Sequence, residues 1–398
     1  MPSPAPIDSP GEGSDLIERA AQCAPILSDR ASETETLRRP LDVNIELLRD
    51  AGLFKVLQPR IYGGHQQPLS VFLRAMAELG KGCGSTAWVA MIYNGIMWFV
   101  SLFPEQAQEE VHDTPEVITA GQIGPAGNVK RVDGGYVVNG RFAFASGCHH
   151  SHWLVAGSPL LDEKGKFLDH LVFLVPTRDA MIKDDWHVTS MQGTGSSSFI
   201  LEDVFIPEHR KLSLPQAVVG NYACKHLVDE NLYRNAFVPL AAWFLLGPMI
   251  GMAEGAIQEF RRFAKGKPIN YTFYEDQSEA TVTHLQIGEA ALKVEAAKAL
   301  SERAAADVFN CAERGEYMDF DSRARSRAQA GYTAQLCREA IDIVQAACGG
   351  GVIHEKNPIQ RFSRDIQGAS NHAMIRPTSV YEMYGRVLFD LPQRTAQI

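Results

Sequence analysis

The sequence predicts a mainly α-helical protein with a central β domain. Apolar residues three and four positions apart dominate both ends of the chain, and short alternating strands fill its middle. The length of 398 residues exceeds what one hydrophobic core usually holds, so several domains are expected. The predicted segments are a mobile N-terminus over 1–14, a helical domain over 15–115, a β-barrel domain over 116–225 and a four-helix bundle over 226–398.

The N-terminal part is predicted from composition and from amphipathic repeats. Residues 1–14 are rich in Pro, Ser and Gly, which is typical of a mobile segment. Helices are expected from Asp15 onward and over 44–51, 69–81 and 85–103, because apolar residues recur there at helical spacing between glycine and proline breaks.

Short strands separated by turn residues mark the middle of the chain. The Asp-Gly-Gly turn at 133–135 joins the alternating runs 129–132 and 136–141 into a hairpin. Further strands are expected over 153–157, 170–176 and 199–207. This spacing predicts a small antiparallel barrel or sandwich.

Long helical segments follow, in the number and length of a four-helix bundle. They are expected over 237–264, 279–312, 322–348 and 375–388. The stretch Leu240–Ala253 is apolar, but it is short for a bilayer and Gly247-Pro248 interrupts it, so a buried helix is expected.

Composition limits the partners and the compartment. The net charge of −9 argues against a nucleic-acid partner, and the arginines of 323–327 read as a solvated helix face. Seven cysteines without CxxC spacing favour neither a disulfide framework nor a zinc site. The N-terminus lacks the pattern of a secretory signal. We expect a cytoplasmic protein without a membrane partner.

Three clusters and one histidine predict a flavin site. Gly349 to Gly351 lack a Cβ, so the backbone after Gln345 can approach a bulky anionic ligand. Two further clusters lie at 142–148 and 191–198. His372 can give or take a proton near neutral pH, because its ordinary pKa lies near 6.5.

The domain order and these motifs resemble the acyl-CoA dehydrogenase fold over nearly the whole chain. Within that superfamily the chain looks most like the two-component flavin monooxygenases that hydroxylate aromatic compounds. Residues 133–147 are similar to the family's hairpin leading into the flavin, and 193–196 with 204–209 to its next landmark. Phe263, 266–269, Gln345 and Gly349-Gly350 resemble segments that reach a flavin phosphate, often across a subunit boundary. The resemblance implies a homotetramer.

Departures from the dehydrogenase pattern indicate to which branch of the superfamily the chain is similar. Acyl-CoA dehydrogenases need a carboxylate base, but the matching neighbourhood reads Ser-Asn-His-Ala over 370–373, and the alternative position over 240–244 carries no acid. Dehydrogenation then has no obvious proton acceptor. His372, seven residues after Asp365, is instead the monooxygenase arrangement.

The resemblance also implies the site residues. His372 would sit over the C4a and N5 edge of the flavin as acid or base, and Ser146 would hydrogen-bond N5; a core histidine and a turn serine are the alternatives. The other implied flavin contacts are Gln122, Gly147, Thr194, Gly195, Ser196, Arg262, Phe263, Gln345, Gly349, Gly350 and Arg364. For the arginines an ion pair is the alternative, and for 193–196 a plain strand connection. No metal is expected, because Cys148 and the histidines over 149–152 lack further ligands at suitable spacing.

The helix over 85–103 would form a wall of the substrate pocket, with Trp88, Asn94, Met97 and Trp98. Some relatives acting on acids or polar phenols carry a histidine there, whereas this chain reads Gly-Ile-Met-Trp over 95–98. We therefore expect an apolar aromatic substrate without a carboxylate, of the indole or polycyclic phenol type. An aromatic stripe on a helix is more often plain core.

The function implied is the oxygenase half of a two-component monooxygenase that uses reduced flavin (FADH₂ or FMNH₂) and O₂ through a C4a-hydroperoxide. A separate NAD(P)H-dependent reductase would supply the flavin, because no GxGxxG follows an early strand and 121–127 lacks a βαβ context. The alternatives are a flavin dehydrogenase or oxidase acting on an acyl thioester or a nitroalkane, a catalytically inactive scaffold, and oxygenation at sulfur or nitrogen.

Overall fold

The computed structural model describes residues 12–398 and confirms the order of helical domain, β domain and helical bundle. Its first helix begins at Glu12, so residues 12–14 of the predicted mobile segment are helical, and residues 1–11 lie outside the described residues. The helices of this part are α1 Glu12–Asp29, α2 Ala31–Leu37, α3 Asp42–Asp50, α4 Leu69–Gly82, α5 Gly84–Val100 and α6 Glu105–His112.

The β domain contains eight short strands in two four-stranded sheets, with orders β1-β4-β5-β8 and β2-β3-β7-β6. The strands are β1 Thr119–Gln122, β2 Asn128–Val132, β3 Gly135–Phe142, β4 Trp153–Leu161, β5 Phe167–Pro176, β6 Met181–Ile182, β7 Phe199–Pro207 and β8 Lys211–Ser213. The predicted strands are all present, but β1, β6 and β8 were missed, because two to four residues are too few to show alternation.

The two sheets face each other as a sandwich. The rings of Tyr136 on β3 and Phe173 on β5 lie 5.3 Å apart between them. One pairing departs from the antiparallel prediction, because β1 runs parallel to β4. The long connection through β2 and β3 makes this pairing possible, since parallel neighbours need a crossover.

The C-terminal part comprises α7 Leu214–Val218, α8 Asn231–Arg234, α9 Phe237–Phe244, α10 Leu246–Ala264, α11 Thr281–Glu313, α12 Phe320–Ala347, α13 Pro358–Ala369 and α14 Pro377–Leu388. The predicted helix over 237–264 is divided into α9 and α10. Helices α10, α11 and α12 contact one another, and α13 packs on both α10 and α12.

The fourth helix of the bundle is therefore α13, which was not predicted as a helix. The segment 375–388, predicted as the fourth helix, forms α14 and packs on α12. The signal for α13 was present in the sequence. The Asn357 side chain accepts a hydrogen bond from the Ile359 N–H, and Pro358 occupies the first turn.

Close contact between backbones joins the helical domain to the bundle. A Cβ on Gly251 of α10 would lie 2.0 Å from the Ala77 carbonyl oxygen of α4, and one on Gly80 would lie 2.6 Å from the Pro248 carbonyl oxygen. Only glycine fits at these positions, so the backbones of α4 and α10 approach closely there.

The stretch Phe237–Ala264 covers 28 residues and is long and apolar enough to cross a membrane, which corrects the view that its apolar part is too short. Within the chain, 83% of its most apolar window is buried, as expected of a core helix. All seven cysteines are buried and free.

Candidate functional site

Helix α5 contacts both segments that carry the predicted catalytic residues. The Trp88 ring lies 6.0 Å from the His372 ring at a tilt of 58°. The Tyr93 hydroxyl donates a 2.8 Å hydrogen bond to the Gly147 carbonyl oxygen. Because Trp88 and Tyr93 are separated by roughly 7.5 Å along the helix axis, His372 and the Ser146-Gly147 turn lie against neighbouring turns of α5.

The turn at Gly147 depends on glycine. Its φ of 73° is left-handed, and an added Cβ would lie 2.5 Å from the Tyr93 ring. The Gly147 N–H donates to the Thr194 carbonyl oxygen at 3.0 Å, so the turn is held between α5 and the segment around Thr194.

Three buried hydroxyl groups form a continuous chain beside this turn. Ser146 Oγ lies 2.7 Å from Ser196 Oγ, which lies 2.7 Å from Thr194 Oγ1. Thr194 Oγ1 lies 2.8 Å from the Met191 carbonyl oxygen. The structure thus brings together the predicted residues Ser146, Gly147, Thr194, Gly195 and Ser196.

Asp365 anchors the end of this hydroxyl chain, a role that the sequence analysis missed. Its Oδ1 accepts a 2.6 Å hydrogen bond from the N–H of Met191, whose φ of 54° is left-handed. Burial raises the pKa of Asp365 to about 7, and Glu35 adds to the rise. The sequence signal was its place on the apolar face of α13, between Phe362 and Ile366.

His372 lies just after the end of α13, with its ring beside that of Trp88. The residue is exposed to solvent, yet the protein atoms packed around the ring displace water and lower its pKa to about 4, with Arg327 adding to the effect. The Met374 N–H donates to Nδ1 at 3.3 Å, which places the ring proton on Nε2. At neutral pH His372 is therefore an uncharged hydrogen-bond donor through Nε2.

Arg327 holds the segment that follows His372. It is 6% exposed, which corrects its reading as part of a solvated face. Nε donates to the Met374 carbonyl oxygen at 2.9 Å and Nη2 to that of Ala373 at 3.4 Å, while Nη1 contacts the Gln397 carbonyl oxygen. Burial lowers its pKa to about 10. The sequence signal was its place on a small-residue face with Ala324 and Gly331.

A second group of predicted residues lies at the far ends of α10 and α12. Gln345 Oε1 accepts a 2.5 Å hydrogen bond from Ser363 Oγ, and a Cβ on Gly349 or Gly350 would meet nothing within 4 Å. Gln345 is roughly 27 Å along α12 from Arg327. The structure therefore does not place Gln345, Gly349 or Gly350 beside the segment that Arg327 holds.

Phe263 belongs to this far group and is covered by Lys267, which lies in the predicted segment 266–269 but was not named among the individual flavin contacts. The Lys267 ammonium lies 3.4 Å from the centroid of the Phe263 ring, and it donates to the Cys348 carbonyl oxygen at 3.4 Å. A cation over an aromatic ring beside two open glycines forms a positive surface. The sequence feature that could have indicated Lys267 was the Gly-Lys-Pro sequence at 266–268.

The two arginines expected at a phosphate form ion pairs, which was the alternative for each. Arg262, with 73% of its side chain exposed, contacts Glu259 at 2.8 Å. Arg364 contacts Glu35 at 2.7 Å and also donates to Gln192 Oε1 at 3.0 Å. Arg364 thus joins α13 to α2 and to the β domain, and a phosphate contact by either arginine stays a prediction.

Only one of the four residues expected at the substrate contacts His372. Asn94 accepts from the Leu57 N–H at 3.2 Å and donates to the Leu53 and Ala90 carbonyl oxygens, so its amide is committed to backbone groups. Trp98 Nε1 donates to the Leu232 carbonyl oxygen at 2.9 Å, and Met97 is buried. Asn94, Met97 and Trp98 therefore lie in the core, whereas Trp88 lies beside His372.

The histidines over 149–152 point to separate partners. His149 Nε2 lies 2.9 Å from Ser197 Oγ, and His150 Nε2 lies 2.9 Å from Asp42 Oδ1. Within residues 12–398 no group of three or more His, Cys, Asp or Glu side chains could hold a metal ion.

Residues 244–377 match the family model described as acyl-CoA dehydrogenase, C-terminal domain. The chain is 34% identical over 386 residues to the flavin-dependent monooxygenase oxygenase subunit HsaA of Rhodococcus jostii, covering 94% of this chain and 98% of the relative. The chain belongs to the flavin-dependent monooxygenases. A second relative of this monooxygenase is the oxygenase component of an FADH(2)-dependent resorcinol hydroxylase from a Rhizobium species, 30% identical with 94% of each chain covered.

A solved structure shows the same monooxygenase fold. The 3-HSA hydroxylase from Rhodococcus sp. RHA1 superposes with a TM-score of 0.91 at 32% identity, covering 96% of this chain and 99% of that chain. The resemblance to the acyl-CoA dehydrogenase fold and to its monooxygenase branch is thereby confirmed.

The residues of this monooxygenase fit a flavin. Gln122 Oε1 is buried and has no hydrogen-bond partner within the part of the chain that the structure describes, so it can accept from a ring N–H. Ser146 lies at the open end of the hydroxyl chain, beside the wall formed by α5. These two groups would hold the flavin ring, and Trp88 would exclude water from the face shared with His372.

Proposed function

We propose that this chain is the oxygenase component of a two-component monooxygenase that hydroxylates a phenolic or indole-type ring with reduced flavin and O₂. The observation that carries the proposal is that His372 and the Ser146-Gly147 turn both contact α5 on neighbouring turns, through Trp88 and Tyr93. An acid-base group and a cofactor-binding group must belong to one site for both to act on one substrate.

Reduced flavin would supply the oxygen chemistry, through the C4a-hydroperoxide that the family resemblance implies. Ser146 would hydrogen-bond the flavin at N5. His372 would donate from Nε2 to an oxygen of the substrate, because its lowered pKa keeps the imidazole neutral. Trp88, 6% exposed, would keep water from this face.

The alternative of an acyl-CoA dehydrogenase or nitroalkane oxidase needs a carboxylate that can reach a substrate proton. Asp365 is the buried carboxylate next to the hydroxyl chain, but its Oδ1 is bound to the Met191 N–H and the residue is 1% exposed. A carboxylate enclosed in this way cannot reach a substrate. Its position and the family membership both favour the monooxygenase.

A phenolic ring is the preferred substrate class. One relative is named a resorcinol hydroxylase, and a donor at His372 Nε2 suits a phenol oxygen. The absence of a histidine over 95–98 no longer argues against an acidic substrate, because Met97 and Trp98 lie in the core. Phenols with and without a carboxylate therefore belong in the screen, together with indoles.

The relatives are named as oxygenase subunits or components, which supports a separate NAD(P)H-dependent flavin reductase as partner. A homotetramer is also part of the proposal. The fully exposed rings of Tyr271 and Phe273 and the exposed Leu285 and Leu292 of α11 offer apolar surface to further copies, and sedimentation would measure the assembly. We place this enzyme in the cytoplasm.

The test of the proposed function is anaerobic loading of the protein with reduced FMN or FADH₂, followed by mixing with oxygenated buffer. We expect a flavin-oxygen adduct that absorbs before oxidised flavin appears, and a hydroxylated product when a phenol from the screen is present. Return to oxidised flavin in one step, with no product from any phenol or indole, would contradict the proposal.

A further inference from the structure

In the hydroxyl chain beside Ser146, which hydroxyl donates to which follows from counting protons. A serine or threonine hydroxyl has one proton to donate and lone pairs to accept. Thr194 Oγ1 lies 2.8 Å from the Met191 carbonyl oxygen, which can only accept. Two oxygens at this distance with no proton between them would repel, so Thr194 donates to Met191.

The remaining two protons are then assigned in turn. Because the Thr194 proton is committed, the 2.7 Å contact between Ser196 and Thr194 is a donation from Ser196. By the same count, Ser146 donates to Ser196 across 2.7 Å. Ser146 therefore presents lone pairs, and not its proton, to a ligand on its other side.

Burial and a fixed peptide preserve this direction. Ser146, Thr194 and Ser196 are 6%, 0% and 4% exposed, so bulk water does not compete for their protons. Met191, whose carbonyl oxygen ends the chain, is held through both of its backbone groups, because its N–H donates to Asp365 and its carbonyl oxygen also accepts from Trp186 Nε1 at 3.0 Å.

We infer that Thr194 and Ser196 make the site selective for reduced over oxidised flavin by fixing Ser146 as a hydrogen-bond acceptor. This inference rests on the proposed function, which places Ser146 against flavin N5. Reduced flavin carries an N–H at N5, whereas oxidised flavin has a lone pair there. An acceptor at Ser146 satisfies the reduced form and leaves the oxidised form facing a second acceptor.

Thr194 and Ser196 are thus positioning residues that act through Ser146. The family resemblance implies that both residues contact the flavin directly. In the structure they are buried within the hydroxyl chain, so we assign them an indirect role. Preference for reduced flavin suits an enzyme that receives its flavin from a separate reductase. Reduced flavin then binds tightly on arrival, and oxidised flavin is released more easily after the reaction.

The test is the ratio of dissociation constants for oxidised and reduced FMN or FAD, measured anaerobically by equilibrium titration. The variant Thr194→Val keeps the shape of the side chain but removes the group that fixes the Ser196 proton, so Ser146 becomes free to donate outward. We expect this ratio to fall by about tenfold, the effect of one hydrogen bond. That change equals a fall of about 30 mV in the midpoint potential of the bound flavin.

Two further variants provide controls. Thr194→Ser keeps the hydroxyl and should retain the wild-type ratio. Ser197→Ala removes a neighbouring buried hydroxyl that contacts His149 instead of the chain, and it should also retain the ratio. If Thr194→Val does not fold, Ser196→Ala takes its place in the same titration with the same expected fall.

Each other outcome has a defined meaning. A folded Thr194→Val or Ser196→Ala protein with the wild-type ratio would overturn the inference. So would wild-type protein that binds both redox states equally, although the proposed function would stand. Wild-type protein that binds neither state would overturn the inference and the proposed function together.

Discussion

The carboxylate of Asp365 and the backbone N–H of Met191 form a 2.6 Å hydrogen bond that joins α13 of the bundle to the β domain. Because the carbonyl of the same residue ends the hydroxyl chain of Ser146, this contact couples the packing of two domains to the predicted flavin site. Asp365 stays buried there, with its pKa raised to about 7 chiefly by loss of water.

This raised pKa predicts how stability depends on pH. Asp365 is protonated more readily in the folded than in the unfolded chain, so its contribution to stability is fully present below about pH 4 and is lost as pH rises through about 7. The variant Asp365→Asn removes this loss. Relative to wild type, its free energy of unfolding should rise with pH by up to about 1.4 kcal/mol per pH unit between pH 4 and 7.

Denaturant unfolding of both proteins at pH 5 and pH 8 measures the effect. A difference between Asp365→Asn and wild type that is the same at both pH values would show that the carboxyl does not titrate in this window.

His372→Ala should slow hydroxylation about a hundredfold or more while flavin affinity changes little, because the role proposed for the residue is proton donation to the substrate and not flavin binding. Single-turnover product formation and flavin titration measure the two effects. His284→Ala, on the exposed face of α11, is the matched control. Equal losses of flavin affinity and hydroxylation would remove His372 from the chemistry.

The lowered pKa of His372 also predicts its pH profile. Since the imidazole stays neutral down to about pH 4, its titration should produce no inflection in the hydroxylation rate between pH 6 and 8. An inflection near 6.5 that disappears in His372→Gln would mean that the ring is hydrated in the working enzyme.

Ser146→Ala should increase the fraction of oxygen released as hydrogen peroxide several-fold, because the flavin N5 proton loses its partner. Peroxide and product are measured in the same reaction mixture. Unchanged coupling, with Ser197→Ala as reference, would separate Ser146 from the oxygen chemistry.

Arg327→Met should destabilise the protein by about 1–3 kcal/mol, because the Ala373 and Met374 carbonyls lose a buried donor. It should also raise the pKa of His372 toward its ordinary value, since a nearby positive charge is removed. Histidine titration by NMR and thermal unfolding measure both effects, with the exposed Arg325→Met as control. A His372 pKa that does not change would assign Arg327 to packing alone.

Local patterns predicted most of the fold, whereas contacts between distant segments could not be read from them. Alternation located β3 and β7, and the helical repeats located α4, α11 and α12. Asn94 and Trp98 were assigned to the substrate because a helix buried on all sides gives no sign of which face lines a pocket. Asp365 and Arg327 were missed as site residues because their partners are backbone groups on other segments, which leave no mark in the sequence.

The glycine contact between α4 and α10 bears on how substrate enters. Gly80 and Gly251 leave no gap along which the helical domain and the bundle could slide apart. Ligand exchange therefore falls to local segments near the predicted flavin site, such as the exposed Phe144 two residues before Ser146. The turnover of this enzyme should consequently respond more to substitutions at Phe144 than to any hinge between its domains.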